Sequence, residues 1–222
     1  MNFAFPRPTV VAAFVLAAIL AGGAAAEPGP AEASVTPDPE PDWATRPGEV
    51  GAICGLPDLI GQAIGRISGE RRGCGIANPV RVARVGGVKL SRPTTMDCPT
   101  AIALRYWVEV GLKPVLSEFD WEPRRLEVVG GYICRTINNS PDGDISEHGR
   151  GRAIDITGIG LEGGYTVTVA EGWRRRLEGQ VLRRLHRAAC GPFNTVLGPD
   201  ADRFHQRHFH LDTKPRATPH CR

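Results

Sequence analysis

The chain has 222 residues, with 27 Lys+Arg against 24 Asp+Glu and 41% hydrophobic residues. That balance excludes a wholly disordered chain, although 19 Pro and 27 Gly call for loop-rich parts. A net charge of +3 is too small to argue for nucleic acid as a partner.

Residues 1–26 read as a secretory signal peptide. Arg7 gives the positive start, Val10 to Leu20 the apolar run, and Ala24-Ala25-Ala26 the small-residue cleavage site before Glu27. The run is short of the roughly 20 residues that span a bilayer. An uncleaved anchor is the competing reading; with cleavage, no stable membrane insertion is expected. The leader looks bacterial, so the expected location is periplasmic or secreted. Residues 27–49 are rich in Pro and Glu with little to bury, and read as a disordered linker of six acids and one base. Residues 50–222 then form one domain with 25 basic and 18 acidic residues, net +7. Such a domain suits anionic envelope polymers, and equally a plain solvated surface.

All six Cys lie in this domain: Cys54, Cys74, Cys98, Cys134, Cys190 and Cys221. None is in a C-x-x-C pair, so up to three disulfides are expected in an oxidising compartment, with connectivity open. Cys221 suggests a staple for the tail.

In chain order, Pro99 to about Val110 reads as a helix with Pro in its first turn. Leu126–Val129 leads through Gly130-Gly131 to a second strand, Tyr132–Arg135. Arg152–Ile156 alternates as a strand, and Tyr165–Val169 is a short one. Glu171–Ala189 is helical, with Trp173, Leu177, Val181 and Leu185 on one stripe. Its arginines (Arg174, Arg175, Arg176, Arg183, Arg184 and Arg187) read as a solvated face or a polyanion contact. His208–Asp212 is the last strand. Trp107 and Trp173 belong to the core on this reading, whereas Trp43 and Trp121 follow no pattern. The sum is an α+β fold: a small antiparallel sheet carrying a metal site, packed with helices and stapled by disulfides.

The chemistry sits in two clusters. The first is Ser146-Glu147-His148-Gly149-Arg150-Gly151-Arg152-Ala153-Ile154-Asp155. Ile154 and Ile156 take one face of the strand, Ala153 and Asp155 the other. A carboxylate there needs a partner or a metal, and a hydrogen-bonded structural group is the simpler alternative. The second cluster, His205-Gln206-Arg207-His208-Phe209-His210, holds three of the six His. His208 and His210 share a face, opposite Phe209 and Leu211. Two imidazoles and a carboxylate leave a tetrahedral position open, the pattern of a catalytic zinc. Ser146 reads as a turn residue, and the remaining Gly-rich spots as turns without phosphate-loop context.

The pattern Ser146-x-His148-x-x-Gly151-x-Ala153-x-Asp155 followed by His208-x-His210 resembles the zinc peptidases of the lysostaphin/D-Ala-D-Ala-carboxypeptidase/hedgehog group. With Tyr132-x-Cys134-Arg135 and His205-x-x-His208-x-His210, residues 50–222 more closely resemble the bacterial extensin-like C-terminal domain family. The site spacing is nearest to that of penicillin-insensitive murein endopeptidases. The resemblance implies one Zn2+ per chain held by His148, Asp155 and His210. It implies that His205 and His208 flank the attacking water and that Arg135 handles the substrate, although Arg135 could instead pair with a structural acid. Carboxypeptidase-type relatives use a Glu base before their last His, and none stands near His208; Asp200 and Asp202 are the nearest upstream acids. The implied activity is hydrolysis of peptidoglycan stem peptides by a monomer. A wall-binding protein that keeps a metal site without catalysis is the alternative, and a plant-type wall structural protein a weaker third.

Overall fold

A computed structural model describes residues 48–222. The expected signal peptide, and the expected linker as far as residue 47, lie outside the described residues. Gly48, the first described residue, donates its backbone N–H to Ala63 O.

In chain order the strands and helices are β1 (Val50–Ile53), β2 (Leu56–Ala63), β3 (Ile67–Ser68), β4 (Gly75–Ile76), β5 (Pro79–Val85), β6 (Val88–Asp97), α1 (Cys98–Trp107), α2 (Lys113–Ser117), β7 (Pro123–Gly130), β8 (Ala153–Leu161), β9 (Thr166–Thr168), α3 (Val169–Gly172), α4 (Arg176–Ala189), β10 (Thr195–Leu197), β11 (Phe209–Asp212) and β12 (His220–Cys221). The fold is α+β, as expected, but the sheet is not small. Ten strands join in one sheet, ordered β1-β2-β5-β6-β7-β8-β11-β10-β12, with β9 also on β8. Neither is it purely antiparallel, because β6 pairs parallel with β7 and β10 with β12.

Besides β10 and β12, the unexpected strands lie between residues 50 and 97. There Val80, Val82, Val85, Val88, Leu90 and Met96 bury one face of the β5–β6 hairpin, which turns at Gly86-Gly87. Residues 132–135 are not a strand. Tyr132 N donates instead to Thr95 O and Ile133 N to His148 O, and Cys134 is tied to Cys74. The chain leaves the sheet here to form one wall of a cavity.

The first helix starts where expected. Asp97 accepts from Thr100 N at 2.9 Å and Pro99 occupies the first turn. It continues through a π-helical turn at Val108–Leu112 into α2. The second helical segment breaks at Trp173–Arg175 into α3 and α4. Val181, Leu182 and Leu185 of α4 are fully buried; each such side chain stabilises by roughly 1.5–3 kcal/mol. Leu177, expected on the same stripe, is 44% exposed. Trp107 donates its indole N–H to Leu185 O, which joins α1 to α4. Three α4-region arginines are engaged locally: Arg175 with Glu178, Arg184 with Glu118, and Arg183 with the Trp173 carbonyl.

Three disulfides close the framework: Cys54–Cys98, Cys74–Cys134 and Cys190–Cys221. The last fastens the C-terminal tail, as expected. No helix among the described residues is long and apolar enough to cross a membrane.

Candidate metal centre

The centre is assembled on β8 and β11. Their register places His210 directly opposite Asp155, and Phe209 opposite Ile156. Alternation then sorts the side chains. Ile154, Ile156, Phe209 and Leu211 enter the core fully buried, while Asp155, His210 and Asp212 share the other face. His148 comes from a 3-10 turn, Glu147–Arg150. Ser146 Oγ caps that turn by accepting from His148 N at 3.4 Å, and Gly151 closes it with φ +71°. Gly130, opposite Asp155 on β7, leaves room for the carboxylate, because a Cβ there would lie 2.4 Å from Asp155 Oδ2.

His148 Nε2 lies 3.2 Å from His210 Nδ1 and 3.2 Å from Asp155 Oδ2, and His210 Nδ1 lies 3.0 Å from Asp155 Oδ1. The other nitrogen of each ring is anchored. His148 Nδ1 is 2.8 Å from the Gly131 carbonyl oxygen, and His210 Nε2 is 3.0 Å from Asp212 Oδ2. Carbonyl and carboxylate oxygens only accept, so these outer nitrogens carry hydrogen. In the neutral rings the inward nitrogens are then bare lone pairs, facing each other and an anionic carboxylate. That arrangement requires a proton or a cation between them.

A metal fits. Zinc bonds of about 2.0–2.2 Å to nitrogen and oxygen give a tetrahedral edge of roughly 3.3 Å, close to the three observed separations. Histidines anchored by a carboxylate and a carbonyl are the usual outer arrangement of such ligands. Two nitrogen donors disfavour calcium and magnesium, which take oxygen. His148, Asp155 and His210 form the one group of this kind among the described residues.

Without metal the same geometry holds a proton. Burial lowers the His210 pKa, but Asp155 and Asp212 outweigh it and push the ring up to about 9. Burial would raise the Asp155 carboxyl; hydrogen bonds from His148 and His210 hold it well below the usual carboxylate range.

His208 sits just before β11 with Nε2 3.7 Å from Asp155 Oδ1. Burial lowers its pKa despite the Asp155 charge, so it is neutral at neutral pH. His205 donates from Nδ1 to Asp202, 2.8 Å from Oδ1, and its ring lies 5.3 Å from that of His208 and 5.6 Å from that of His210. Asp200 instead accepts from the Trp173 indole. Arg135 lines the same cavity, of about 580 Å³, together with His148, His205, His208 and His210. Its guanidinium reaches only the Thr136 carbonyl, at 3.4 Å, and forms no ion pair among the described residues. All six sequence-derived site residues therefore meet in one cavity. A larger groove of about 940 Å³ along Trp121–Arg124 and Leu161–Tyr165 contains no His.

Sequence reasoning missed Asp212, the Gly131 carbonyl and the cations Lys214 and Arg216. Asp212 had a signal: it stands two residues from His210 on one strand and so shares its face. The Gly131 carbonyl had none, because a backbone oxygen leaves no mark in a sequence.

Residues 60–222 match the family model described as Extensin-like protein C-terminus. No curated protein and no solved structure matches the chain. With the match spanning most of its length, the chain belongs to the extensin-like protein C-terminus family.

Proposed function

We propose that this chain is a zinc-dependent peptidase of the bacterial envelope, periplasmic or secreted, that cuts D-amino-acid-containing stem peptides of peptidoglycan. One observation carries the reading: two anchored imidazoles turn one nitrogen each toward the other, 3.2 Å apart, and each meets a different oxygen of one carboxylate at 3.0–3.2 Å. The likeness of the His148–Asp155 and His205–His210 motifs to murein endopeptidases supports the substrate class, as do the basic domain and the leader.

A zinc ion held by His148, Asp155 and His210 supplies Lewis-acid polarisation of a carbonyl and acidification of water. The chain's own residues do the rest. His208 is neutral and beside the ligands, so it takes a proton from the attacking water and returns it to the leaving amine. Asp202 fixes the ring orientation and tautomer of His205, whose Nδ1–H it accepts, and so readies Nε2 for the same region. Histidine thus fills the role that a Glu base holds in carboxypeptidase-type relatives. Arg135, without an ion pair among the described residues, binds a substrate carboxylate.

The test is digestion of purified sacculi by the zinc-loaded protein, with released fragments identified by mass spectrometry. Wild type releases peptide-cleaved fragments, and His148→Ala and His208→Ala do not. Binding to sacculi without release would replace this reading with the non-catalytic wall-binding one.

A further inference from the structure

The acids and bases of the metal cavity are unevenly matched. Every carboxylate lining it is engaged: Asp155 by His148 and His210, Asp202 by His205, Asp212 by His210, and Glu147 by Arg150 and Arg152 at 3.7 and 3.8 Å. None of its three permanent cations, Arg135, Lys214 and Arg216, forms an ion pair among the described residues. The cavity therefore offers three cationic side chains without an ion-pair partner among the described residues, lining the same space as the metal ligands.

Two of those cations come from the tail after β11, where the backbone at Lys214 and the side chain of Arg216 are held. Lys214 N donates to Asp212 Oδ1 at 2.9 Å, Asn194 Nδ2 donates to Lys214 O at 3.0 Å, and Thr213 N donates to Arg152 O. Arg216 Nε donates to Thr195 Oγ1 at 3.0 Å, and the rest of its guanidinium meets no ion-pair partner among the described residues. β12 and the Cys190–Cys221 bond then pin the end of the tail. A fixed backbone under the Lys214 ammonium and a held Arg216 guanidinium, neither ion-paired among the described residues, are pre-organised for an anion.

We propose that Lys214 and Arg216 form a second carboxylate subsite, distinct from Arg135, so that the preferred substrate is a peptide with two free carboxylates. One is held by Arg135 and the other by the tail pair. This rests on the peptidase reading and adds a substrate requirement to it.

The test uses the zinc-loaded exported protein and the probe acetyl-Ala-γ-D-Glu-Lys, which has two free carboxylates and no D-Ala bond to cut. Calorimetry compares it with the two analogues amidated at one carboxylate each. Wild type should lose about tenfold in affinity for each amidation, the scale of one charge-assisted contact. Lys214→Ala removes only a side chain whose backbone does the structural work. It should bind the diacid about tenfold more weakly and become indifferent to one of the two amidations, still sensing the other. Arg216→Gln should be indifferent to the same one. Equal binding of all three probes by wild type, or full discrimination by Lys214→Ala, overturns the subsite. Discrimination without hydrolysis of any stem peptide would keep the subsite and sink the peptidase. Hydrolysis without discrimination would do the reverse.

Discussion

Asp212 Oδ2 accepts from His210 Nε2 at 3.0 Å, two residues along the same strand, while His210 Nδ1 turns to Asp155. The carboxylate fixes the ring and its tautomer and raises its basicity as a ligand. Asp212→Asn keeps the size but loses the charge. Metal affinity should fall about 10–100-fold with the fold intact, measured by competition with a chromophoric chelator. Unchanged affinity would reduce Asp212 to a strand-capping group.

Metal and proton compete for His210. Metal-free, the ring is pushed up to about 9 by Asp155 and Asp212, despite burial. At pH 7 it is charged and must lose its proton to bind metal. Metal binding should therefore release about one proton at pH 7 and strengthen as pH rises toward 9. Calorimetry in buffers of different ionisation enthalpy reads this directly; no proton release would refute it.

The same shift sets the stability of chelated protein. His210 has its folded pKa raised from an ordinary 6.5, so its contribution is complete below that value and is lost as pH rises through about 9. Asp155 has its folded pKa lowered from 3.8, so its contribution is present above that value and fades as pH falls below it. Thermal midpoints of metal-free protein should therefore be highest between about pH 4 and 6.5 and fall toward pH 10. In His210→Ala the alkaline fall should vanish.

Much of this centre was legible because strand periodicity carries it. Asp155 between Ile154 and Ile156, and His210 between Phe209 and Leu211, announce a polar face and a core face at once. Other parts were not legible. The pairing of Cys74 with Cys134 depends on where β4 and the 132–135 segment meet, which spacing does not encode. Tyr132–Arg135 has strand composition, yet tertiary contacts with Thr95 and His148 draw it out of the sheet. The β5–β6 hairpin did leave a signal, Val85-Gly86-Gly87-Val88, a two-residue glycine turn between alternating apolar runs.

Gly130 tests the packing of the site. A Cβ there would meet Asp155 Oδ2 at 2.4 Å, and Asp155 Cγ at 2.9 Å. Gly130→Ala should displace the carboxylate and lower bound metal well below one ion per chain while far-ultraviolet circular dichroism stays native. Full metal occupancy in that variant would mean that Asp155 is not held as described.

The Cys190–Cys221 bond closes a 31-residue separation and anchors the tail that carries Lys214 and Arg216. The double change Cys190→Ser with Cys221→Ser should cost roughly 2–4 kcal/mol in urea unfolding. It should also speed tryptic cleavage after Arg216. An unchanged unfolding midpoint would mean that β12 holds the tail by itself.

The proposed zinc ligands are His148, Asp155 and His210. Elemental mass spectrometry on protein exported in oxidised form, beside His210→Ala, tests this assignment most directly. Wild type should carry about one zinc per chain, and the variant should carry none. Folded, oxidised, chelator-free protein that carries no zinc and takes up none would contradict the assignment, and the histidine cluster would then be a proton-holding structural network.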